Sequence, residues 1–319
     1  MIVVAGEALI DLVVAAGGQV DARPGGGPYN AARTLARLGA ETTVLGRLAD
    51  DRFGRLLRDR LTGEGVALGV PEPSGKPSTL AVAAVDPAGA ASYSFYLDGT
   101  AAADLEYEVL RKALPADATA VHVGTLGLVM EPIGAAIERL VAADVPAGTL
   151  VLLDPNCRPG AVADHEAYRR RIGAVARRAD IVKASVEDLA YLYPGVPAEE
   201  AVAPLLEAGP SLVLVTDGPR PARAFLPDAV LSEAVPAVTV VDTIGAGDAF
   251  GGGFLAWWTA HGLGRSDLRR DAPPADAPPA HALIGKALKV AVAAAALTCA
   301  RPGADPPTRA ELQARNWWP

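Results

Sequence analysis

The chain has 319 residues, with 29 lysines and arginines against 37 aspartates and glutamates, and its formal net charge is −8. This length allows one large domain or two small ones with a sizeable buried core, and the content of glycine and proline, about a fifth of the residues, stays below the level typical of disordered sequences. The acidic balance and the lack of a basic block exclude a protein that coats nucleic acid or lies on an anionic membrane surface.

Short apolar runs alternate with longer helical patterns along most of the sequence. The predicted strands are 1–5, 43–48, 120–124, 149–154, 180–185, 212–218 and 238–242, and the predicted helices lie near 29–38, 51–62, 131–143, 165–178, 198–208, 248–261 and 284–300. The strands are continuously apolar, which is typical of strands covered on both faces. The alternation predicts an α/β fold with a doubly wound, mostly parallel sheet, whose ligands bind beyond the carboxyl ends of the strands.

One region breaks this rhythm and predicts a second, smaller sheet. Residues 80–98 form two extended runs around a turn at 86–89, which is typical of a β-hairpin. A further extended run, 12–16, leads into two glycines. We predict that segments of about 12–24 and 76–99 together form a discontinuous β-sheet that stands off the main body like a lid.

The cysteines and the apolar segments indicate the compartment. Cys157 and Cys299 are far apart and form no CxxC pair, so a disulfide framework and a thiolate zinc site are not predicted, and a reducing cytosol is favoured. The first segment carries Glu7 and Asp11 and no basic start, unlike a signal peptide. The alanine-rich run 290–300 is too short to cross a bilayer. We therefore expect a cytoplasmic protein without a membrane span.

The motif VDTIGAGD at 241–248 carries the strongest chemical signal. A strand ends, small residues make a tight turn, and a helix begins close to Asp248. Gly245, Ala246 and Gly247 leave their backbone N–H groups accessible at the start of that helix, which is a natural anion site. A carboxylate at such a site is explained if Asp248 accepts the proton of a hydroxyl that attacks a phosphate.

Two other interpretations of this motif remain open on its residues alone. Asp248 could be a first-turn acid that complements the helix dipole. The turn could also bind a dinucleotide, although the third glycine of that fingerprint is replaced by Phe250.

Two glycine-containing motifs near the start add candidate hydroxyl-binding groups. GGGPYN at 25–30 allows a ligand to approach the backbone closely, and Asn30 can cap a helix or present an amide to hydroxyls. GEALID at 6–11 follows the first strand, so Asp11 is predicted at its carboxyl end, where it could accept hydrogen bonds from a polyol or be a surface turn residue.

In order and approximate spacing, GEALIDL, GGGPYNAARTLARLG and DTIGAGDAFGGGF resemble the ribokinase-like (pfkB) family of sugar kinases. The resemblance covers nearly the whole chain, 1–319, as one kinase domain. It implies a three-layer α/β domain with a β-sheet lid, and the ATP-dependent phosphorylation of a sugar hydroxyl with magnesium bridging the nucleotide phosphates.

The resemblance also implies roles for single residues. Asp248 matches the catalytic base of the family. The remaining matches are the anion hole, Gly245, Ala246 and Gly247, and the sugar-contacting positions, Asp11, Gly25, Gly26 and Asn30.

Further segments resemble the family more weakly. DPNCR at 154–158 resembles the fructokinase and ketodeoxygluconate-kinase branches, and Arg158 could contact a phosphate or a substrate acid, or form a surface salt bridge. Thr216 and Gly218 match the nucleotide side of the family, as does the segment with Gly303. Asp242, Ile244 and Gly303 fall where many members bind a monovalent cation such as K⁺.

One motif departs from the family pattern. The NxxE motif, which is linked to magnesium and phosphate, aligns with SVED at 185–188, where Ser185 replaces the asparagine. The acid is then Asp188, or Glu187 one position earlier, and these are the predicted magnesium contacts.

The sequence therefore predicts an ATP-dependent carbohydrate kinase that acts on a fructose-like hexose or a related sugar or sugar acid. A nucleoside or ribose kinase of the same family, and a catalytically silent sugar-binding protein, remain as alternatives. The predicted partners are the sugar and ATP, without nucleic acid or membrane. We expect a homodimer formed through the lid, because a two-stranded edge is exposed there.

Overall fold

Two β-sheets form within residues 1–15, 17–85, 91–269 and 278–319, which are the residues that this computed structural model describes. The central sheet contains β1 (Ile2–Ala5), β4 (Thr42–Leu45), β5 (Ala67–Leu68), β8 (Ala120–Gly124), β9 (Leu150–Asp154), β10 (Ile181–Ser185), β11 (Leu212–Asp217), β12 (Arg220–Phe225) and β13 (Val230–Glu233). Their order is β13-β12-β11-β10-β9-β8-β1-β4-β5. β12 pairs antiparallel with both of its neighbours, β11 and β13, and all the other neighbours pair in parallel. The prediction of a mostly parallel α/β sheet is confirmed.

Helices cover both faces of the central sheet. They are α1 (Gly27–Arg37), α2 (Arg52–Gly63), α3 (Tyr107–Ala113), α4 (Ile133–Ala143), α5 (His165–Ala176), α6 (Val186–Leu192), α7 (Ala198–Ala208), α8 (Ala246–Ala260), α9 (Ala280–Cys299) and α10 (Arg309–Ala314). Because side chains alternate along a strand, Ile2 and Val4 pack in the core with α1, α8 and α9, whereas Val3 and Ala5 pack in the core with α4 and α5. The result is a three-layer domain.

The small sheet contains β2 (Leu9–Val14), β3 (Val20–Gly25), β6 (Leu80–Val85) and β7 (Ala91–Tyr96), in the order β3-β2-β6-β7. The predicted hairpin is present as the antiparallel pair β6 and β7. Its predicted turn at 86–89 lies outside the described residues.

Asp11 lies inside β2 of the small sheet, so its predicted position at the end of the first strand is wrong. The chain turns after β1 at Gly6, whose φ is 150°, and a new strand begins at Leu9. The small sheet therefore starts earlier than the predicted segment 12–24, and it carries Asp11 opposite Arg23 of β3.

The predicted strand at 238–242 is also wrong, because this segment is a loop. Two of its three valines are exposed, Val240 by 62% and Val241 by 58%. The backbone N–H groups of Val241 and Asp242 donate to the carbonyl oxygen of Cys299, at 2.8 and 3.2 Å. The segment is thus held against the end of α9 rather than in a sheet.

α9 is a long core helix that follows a charged segment rich in proline and alanine, residues 264–279, of which 270–277 lie outside the described residues. It begins at Ala280, before the predicted start, and is 20 residues long, and its most apolar window of 18 residues has a mean hydropathy of 1.7. It is long and apolar enough to cross a membrane, so the argument that the run 290–300 is too short is wrong. However, 67% of its most apolar window is buried inside the fold. Gly253 of α8 faces it so closely that a Cβ there would lie 3.2 Å from the Cα of Ala291.

The other predicted strands and helices agree with the structure within a few residues at their ends. β3 falls largely within the segment 12–24 that was predicted to belong to the small sheet, and the elements that the sequence analysis did not predict are β5, β12, β13, α3, α6 and α10.

Candidate active site

Asp248 lies in the first turn of α8, beyond the carboxyl ends of the parallel strands, and it is buried. Asn30 of α1 donates a hydrogen bond from Nδ2 to Asp248 Oδ2 at 2.9 Å. Burial raises the pKa of Asp248, against the opposing effects of this hydrogen bond and of the charges of Lys183 and Arg158. A buried carboxylate with a raised pKa is suited to accept a proton near neutral pH.

On the side of α1, the Asp248 carboxylate faces the backbone of Gly27, where a side chain would not fit. A Cβ on Gly27 would lie 3.2 Å from Asp248 Oδ1 and 2.4 Å from Thr125 Cγ2. Asn156 reaches the same oxygen with its Nδ2 at 3.5 Å, from a left-handed backbone conformation with φ of 40°. Asn30 and Asn156 therefore present amide donors to both oxygens of Asp248.

The turn at 245–247 precedes Asp248 and opens α8. Gly245 has φ of 77°, and a Cβ on it would lie 2.5 Å from Ala304 Cβ, so this position requires glycine. A Cβ on Gly247 would lie 2.8 Å from Nζ of Lys183. The first N–H groups of the helix and the Lys183 ammonium together give this end of α8 a positive potential.

Lys183 is fully buried in β10 and forms an ion pair with Asp154 of β9, with 3.0 Å between Nζ and Oδ2. Burial raises the pKa of Asp154 to about 7, although the nearby Lys183 charge opposes this. Burial lowers the pKa of Lys183, but Asp154 and the carboxylates of Asp188 and Asp248 outweigh it, so the net shift is upward. Lys183 therefore stays charged beneath the 245–247 turn.

Asp11 points toward the same region from β2. Gly25 of β3 leaves room for it, since a Cβ on Gly25 would lie 2.0 Å from Asp11 Oδ2. Burial raises the pKa of Asp11 to about 6, and the charge of Arg158 lowers it while that of Asp248 raises it. Gly26 has φ of 105° and its Cβ would lie 2.9 Å from the carbonyl oxygen of Glu7, so the backbone turns here at close contact.

Arg158 follows Asn156 in an exposed position and is held by its neighbours. Its Nη1 donates to Asn156 Oδ1 at 2.7 Å and to the Asn156 carbonyl oxygen at 3.1 Å. Its charge lowers the pKa values of both Asp11 and Asp248. The guanidinium is thus electrostatically coupled to the two carboxylates of the site.

Asp188 caps α6 together with Ser185, the residue that departs from the family motif. Ser185 N–H donates to Asp188 Oδ2 at 2.8 Å, and Cys157 N–H donates to Oδ1 at 2.6 Å. Both oxygens of Asp188 therefore already accept hydrogen bonds from the backbone, whereas Glu187 is exposed. Among the residues that the structure describes, no group of three His, Cys, Asp or Glu side chains could hold a metal ion.

The predicted nucleotide-side residues lie at the end of β11 and in the segment after α9. Thr216 of β11 pairs in register with Ser185 of β10, and Gly218 turns the chain after β11 with φ of 53°. The carboxylate of Asp242 accepts from Ile244 N–H at 3.0 Å and from Gly303 N–H at 2.9 Å. The three residues predicted to carry a monovalent cation are thus adjacent.

The sequence analysis missed Lys183, Asp154 and Asn156 as members of this site. The signal for Lys183 was present, because it is the one charged residue within the apolar run IVKAS of 181–185. A buried strand carries a lysine only where a partner neutralises it. Asp154 and Asn156 stood in the DPNCR segment, of which only Arg158 had been assigned.

Comparison with known proteins places these features in a family. A family profile described as pfkB family carbohydrate kinase matches residues 1–311. A fructokinase of Rhizobium leguminosarum bv. trifolii is 36% identical over 261 residues, covering 80% of this chain and 79% of the relative. The crystal structure of a fructokinase with bound ATP from Xylella fastidiosa superposes with a TM-score of 0.86, at 28% identity, covering 99% of this chain and 98% of that one.

A further solved structure has a different acceptor. It is the aminoimidazole riboside kinase of Salmonella enterica, complexed with aminoimidazole riboside and an ATP analogue. It superposes with a TM-score of 0.81, at 26% identity, and the match covers 98% of each chain.

Proposed function

This chain belongs to the pfkB family of carbohydrate kinases, and we propose that it phosphorylates a hydroxyl of fructose, or of a related hexose or sugar acid, with ATP. The observation that carries the proposal is the buried Asp248 carboxylate at the start of α8, 2.9 Å from Nδ2 of Asn30. A proton acceptor for the sugar hydroxyl thereby stands directly beside N–H donors for phosphoryl oxygens.

In the proposed reaction, Asp248 takes the proton of the attacking hydroxyl. The hydroxyl oxygen forms a bond to the γ-phosphorus while the bond to the β-phosphate oxygen breaks, and ADP leaves. Burial raises the pKa of Asp248 and so makes its carboxylate a better proton acceptor than an exposed aspartate. The amides of Asn30 and Asn156 orient it, because each lies within 3.5 Å of one carboxylate oxygen.

The 245–247 turn would hold the oxygens of the phosphoryl group that is transferred. Its backbone N–H groups lie at the positive end of α8, and Lys183 adds a full charge behind Gly247. Such fixed donors supply most of the catalysis in phosphoryl transfer, since they stabilise charge without reorganising. The nucleotide would extend from this turn toward Thr216, Gly218 and Gly303.

The donor set fits a magnesium ion that binds mainly through ATP. The described residues offer no protein cage, and both oxygens of Asp188 are taken by backbone N–H groups. Mg²⁺ held by the phosphates would neutralise their charge, with Glu187 as the exposed carboxylate on that side. For K⁺, the carboxylate of Asp242 holds the Ile244 and Gly303 segments together, so their carbonyl groups are fixed as neighbours.

We propose that the sugar binds between β2 and α1, with its hydroxyls on Asp11 and Asn30 and its ring against the backbone of Gly25 and Gly26. An ionised carboxylate can accept two hydroxyl protons, whereas a protonated one loses part of this capacity. Arg158, which is coupled to Asp11 and Asp248, would then contact a substrate oxygen or carboxylate.

The affinity for the sugar should depend on the ionisation of Asp11. Its pKa is raised to about 6, so the ionised form dominates above that pH and is lost below it. The Kd for the sugar, measured by calorimetry without nucleotide, should rise about tenfold for each pH unit below about 6. Asp11→Asn should weaken binding at pH 8 and remove this dependence. The matched control is Asp21→Asn, which changes a carboxylate of β3 that pairs with Arg23. This variant should leave the affinity for the sugar and its dependence on pH unchanged.

The small sheet would serve as a lid that closes over the sugar, excludes water and limits the hydrolysis of ATP. Its outer strand β7 exposes Tyr93 and Tyr96, each by 59%. We propose that the edges of two such sheets pair in a homodimer, and that the protein works in the cytoplasm. Light scattering on the purified protein should give the mass of a dimer, and a mass of about 33 kDa at micromolar concentration would contradict this pairing.

A nucleoside kinase is the second candidate function. The specific observation in its favour is the similarity to the riboside kinase of Salmonella enterica, which covers 98% of this chain. The chemistry at Asp248 would be the same, and only the acceptor would differ. A silent sugar-binding protein is less well supported, because Asp248 and the 245–247 turn are intact.

The release of ADP from Mg-ATP, measured with a panel of hexoses, sugar acids and nucleosides in the presence and absence of K⁺, tests this proposal. Turnover with fructose or a related sugar supports it, and turnover with nucleosides alone supports the second candidate. No turnover, together with sugar-dependent thermal stabilisation, would favour a binding protein.

A further inference from the structure

Glu7 is a buried carboxylate that the mechanism above does not use. It follows β1 and Gly6, and its side chain is surrounded by donors from two other segments. Its Oε1 accepts from Gly27 N–H at 3.2 Å and from the hydroxyl of Thr125, and its Oε2 accepts from Gly127 N–H at 2.7 Å. One carboxylate therefore joins the start of α1 to the 3₁₀ turn Thr125–Leu128.

Glu7 also lies where the chain crosses between the two sheets. The outgoing crossing, at 6–8, leads from β1 into β2, and the returning crossing, at 25–27, leads from β3 into α1. The two crossings touch, since a Cβ on Gly6 would lie 2.4 Å from Pro28 Cγ and a Cβ on Gly26 would lie 2.9 Å from the Glu7 carbonyl oxygen. The side chain of Glu7 spans them by accepting the Gly27 N–H.

Both partners that share Oε1 are packed next to Asp248. Gly27 is so close that a Cβ on it would lie 3.2 Å from Asp248 Oδ1 and 2.4 Å from Thr125 Cγ2. Thr125 has φ of 56°, a conformation that is unfavourable for a β-branched residue and needs support from its surroundings. A displacement of either residue would move the wall against which the Asp248 carboxylate rests.

We propose that Glu7 is a positioning residue, whose carboxylate holds Gly27 and Thr125 in place beside Asp248 at the crossing between the small sheet and the central sheet. The proposal rests on the proposed function only for its catalytic readout. Burial raises the pKa of Glu7 to about 7, so the interior disfavours its charge. The three hydrogen bonds that its two oxygens accept compensate for the burial of the carboxylate. An amide has a single oxygen, so it could accept hydrogen bonds on one side only.

Glu7→Gln tests the proposal, because the side chain keeps its size and one oxygen is replaced by an NH₂ group that faces an N–H donor. The kcat for the accepted sugar should fall by about 10- to 100-fold, while KM for ATP stays within about twofold. Thr125→Val, which lacks the hydroxyl, should cause a loss of kcat of the same kind. Thr125→Ser, which keeps the hydroxyl, should retain activity. The double variant Glu7→Gln/Thr125→Val should be no slower than the slower single variant, because both act through one contact.

A second measurement does not depend on turnover. Hydrogen exchange should become faster at the amides of Gly27 and Gly127 in Glu7→Gln, and stay unchanged at the amide of Val151. Asp180→Asn is the matched control, since Asp180 is a buried carboxylate before β10, at the opposite end of the strands, and accepts the Val151 N–H at 2.9 Å. It should speed exchange at Val151 and leave kcat unchanged.

The outcomes separate the two proposals. A wild-type protein without turnover on any acceptor contradicts the proposed function, and the exchange experiment still decides whether Glu7 holds the two segments. An active wild type with unchanged kcat and exchange in Glu7→Gln overturns the role of Glu7. Should Glu7→Gln fail to fold, Thr125→Val decides, because it removes only the hydroxyl contact, and normal kcat in that variant would equally overturn the proposal.

Discussion

Asp248→Asn should leave the fold intact and lower kcat by about 100- to 10,000-fold, which is the range for removing a general base. Asparagine has the same shape and can still accept the hydrogen bond of Asn30. Since burial raises the pKa of Asp248, the interior disfavours its charge, so the variant should be at least as stable as the wild type at pH 7. Single-turnover kinetics and thermal unfolding measure the two effects.

Glu166→Gln provides the control for this variant. Glu166 is an exposed acid in the first turn of α5, where it complements the helix dipole and forms an exposed ion pair with Arg169 at 3.2 Å. It should change stability by less than about 1 kcal/mol and leave kcat unaltered. If Asp248→Asn behaved like this control, Asp248 would be a first-turn acid and not the base.

Lys183→Met should destabilise the protein by about 3–5 kcal/mol at pH 8, because it leaves the buried carboxyl group of Asp154 without its partner. Without the lysine, the native pKa of Asp154 should rise above its present value of about 7, whereas the unfolded value stays near 4. The native state then binds a proton that the unfolded state does not, so the loss of stability should be smaller at pH 6 than at pH 8. Urea unfolding at the two pH values measures this difference.

The double variant Lys183→Met/Asp154→Leu separates the structural from the catalytic effect of this pair. Removal of both charges should recover much of the stability, because no unpaired charge stays in the core. It should not recover turnover, because the ammonium behind Gly247 is still missing. Recovery of kcat together with stability would show that Lys183 acts only on the fold.

The parts of the site that one short segment builds could be predicted from the sequence. The turn and the helix start at 245–248 depend on local residues, so Asp248 and the N–H groups beside it were placed correctly relative to each other. Asn30 was expected near the start of α1 and lies there, but it does not cap the helix, because the N-cap is Gly26 and Asn30 is the fourth helical residue. The hydrogen bond between Asn30 and Asp248 joins residues that are 218 positions apart, and only the family resemblance suggested that they meet.

The parts that depend on distant contacts could not be predicted. The segment 238–242 has the composition of a strand, but the N–H groups of Val241 and Asp242 donate to the end of α9 instead of to a neighbouring strand. Asp11 was assigned to the end of the first strand, because nothing local shows that a strand of the other sheet begins at Leu9. Lys183 could be interpreted only with Asp154, which lies on another strand and 29 residues away.

The small sheet is joined to the central domain at two places, and this restricts how it can move. One is the pair of crossings at 6–8 and 25–27. The other lies where the chain enters β6 and leaves β7, where the hydroxyls of Thr79 and Thr100 are hydrogen-bonded at 2.7 Å. Two fixed points define a line, and a rigid sheet held on a line can swing about it but cannot slide. Asp11 is the third residue of β2 and follows the first of these points closely, so it would travel only a short arc about this line, while strand residues farther from the line would travel a longer one.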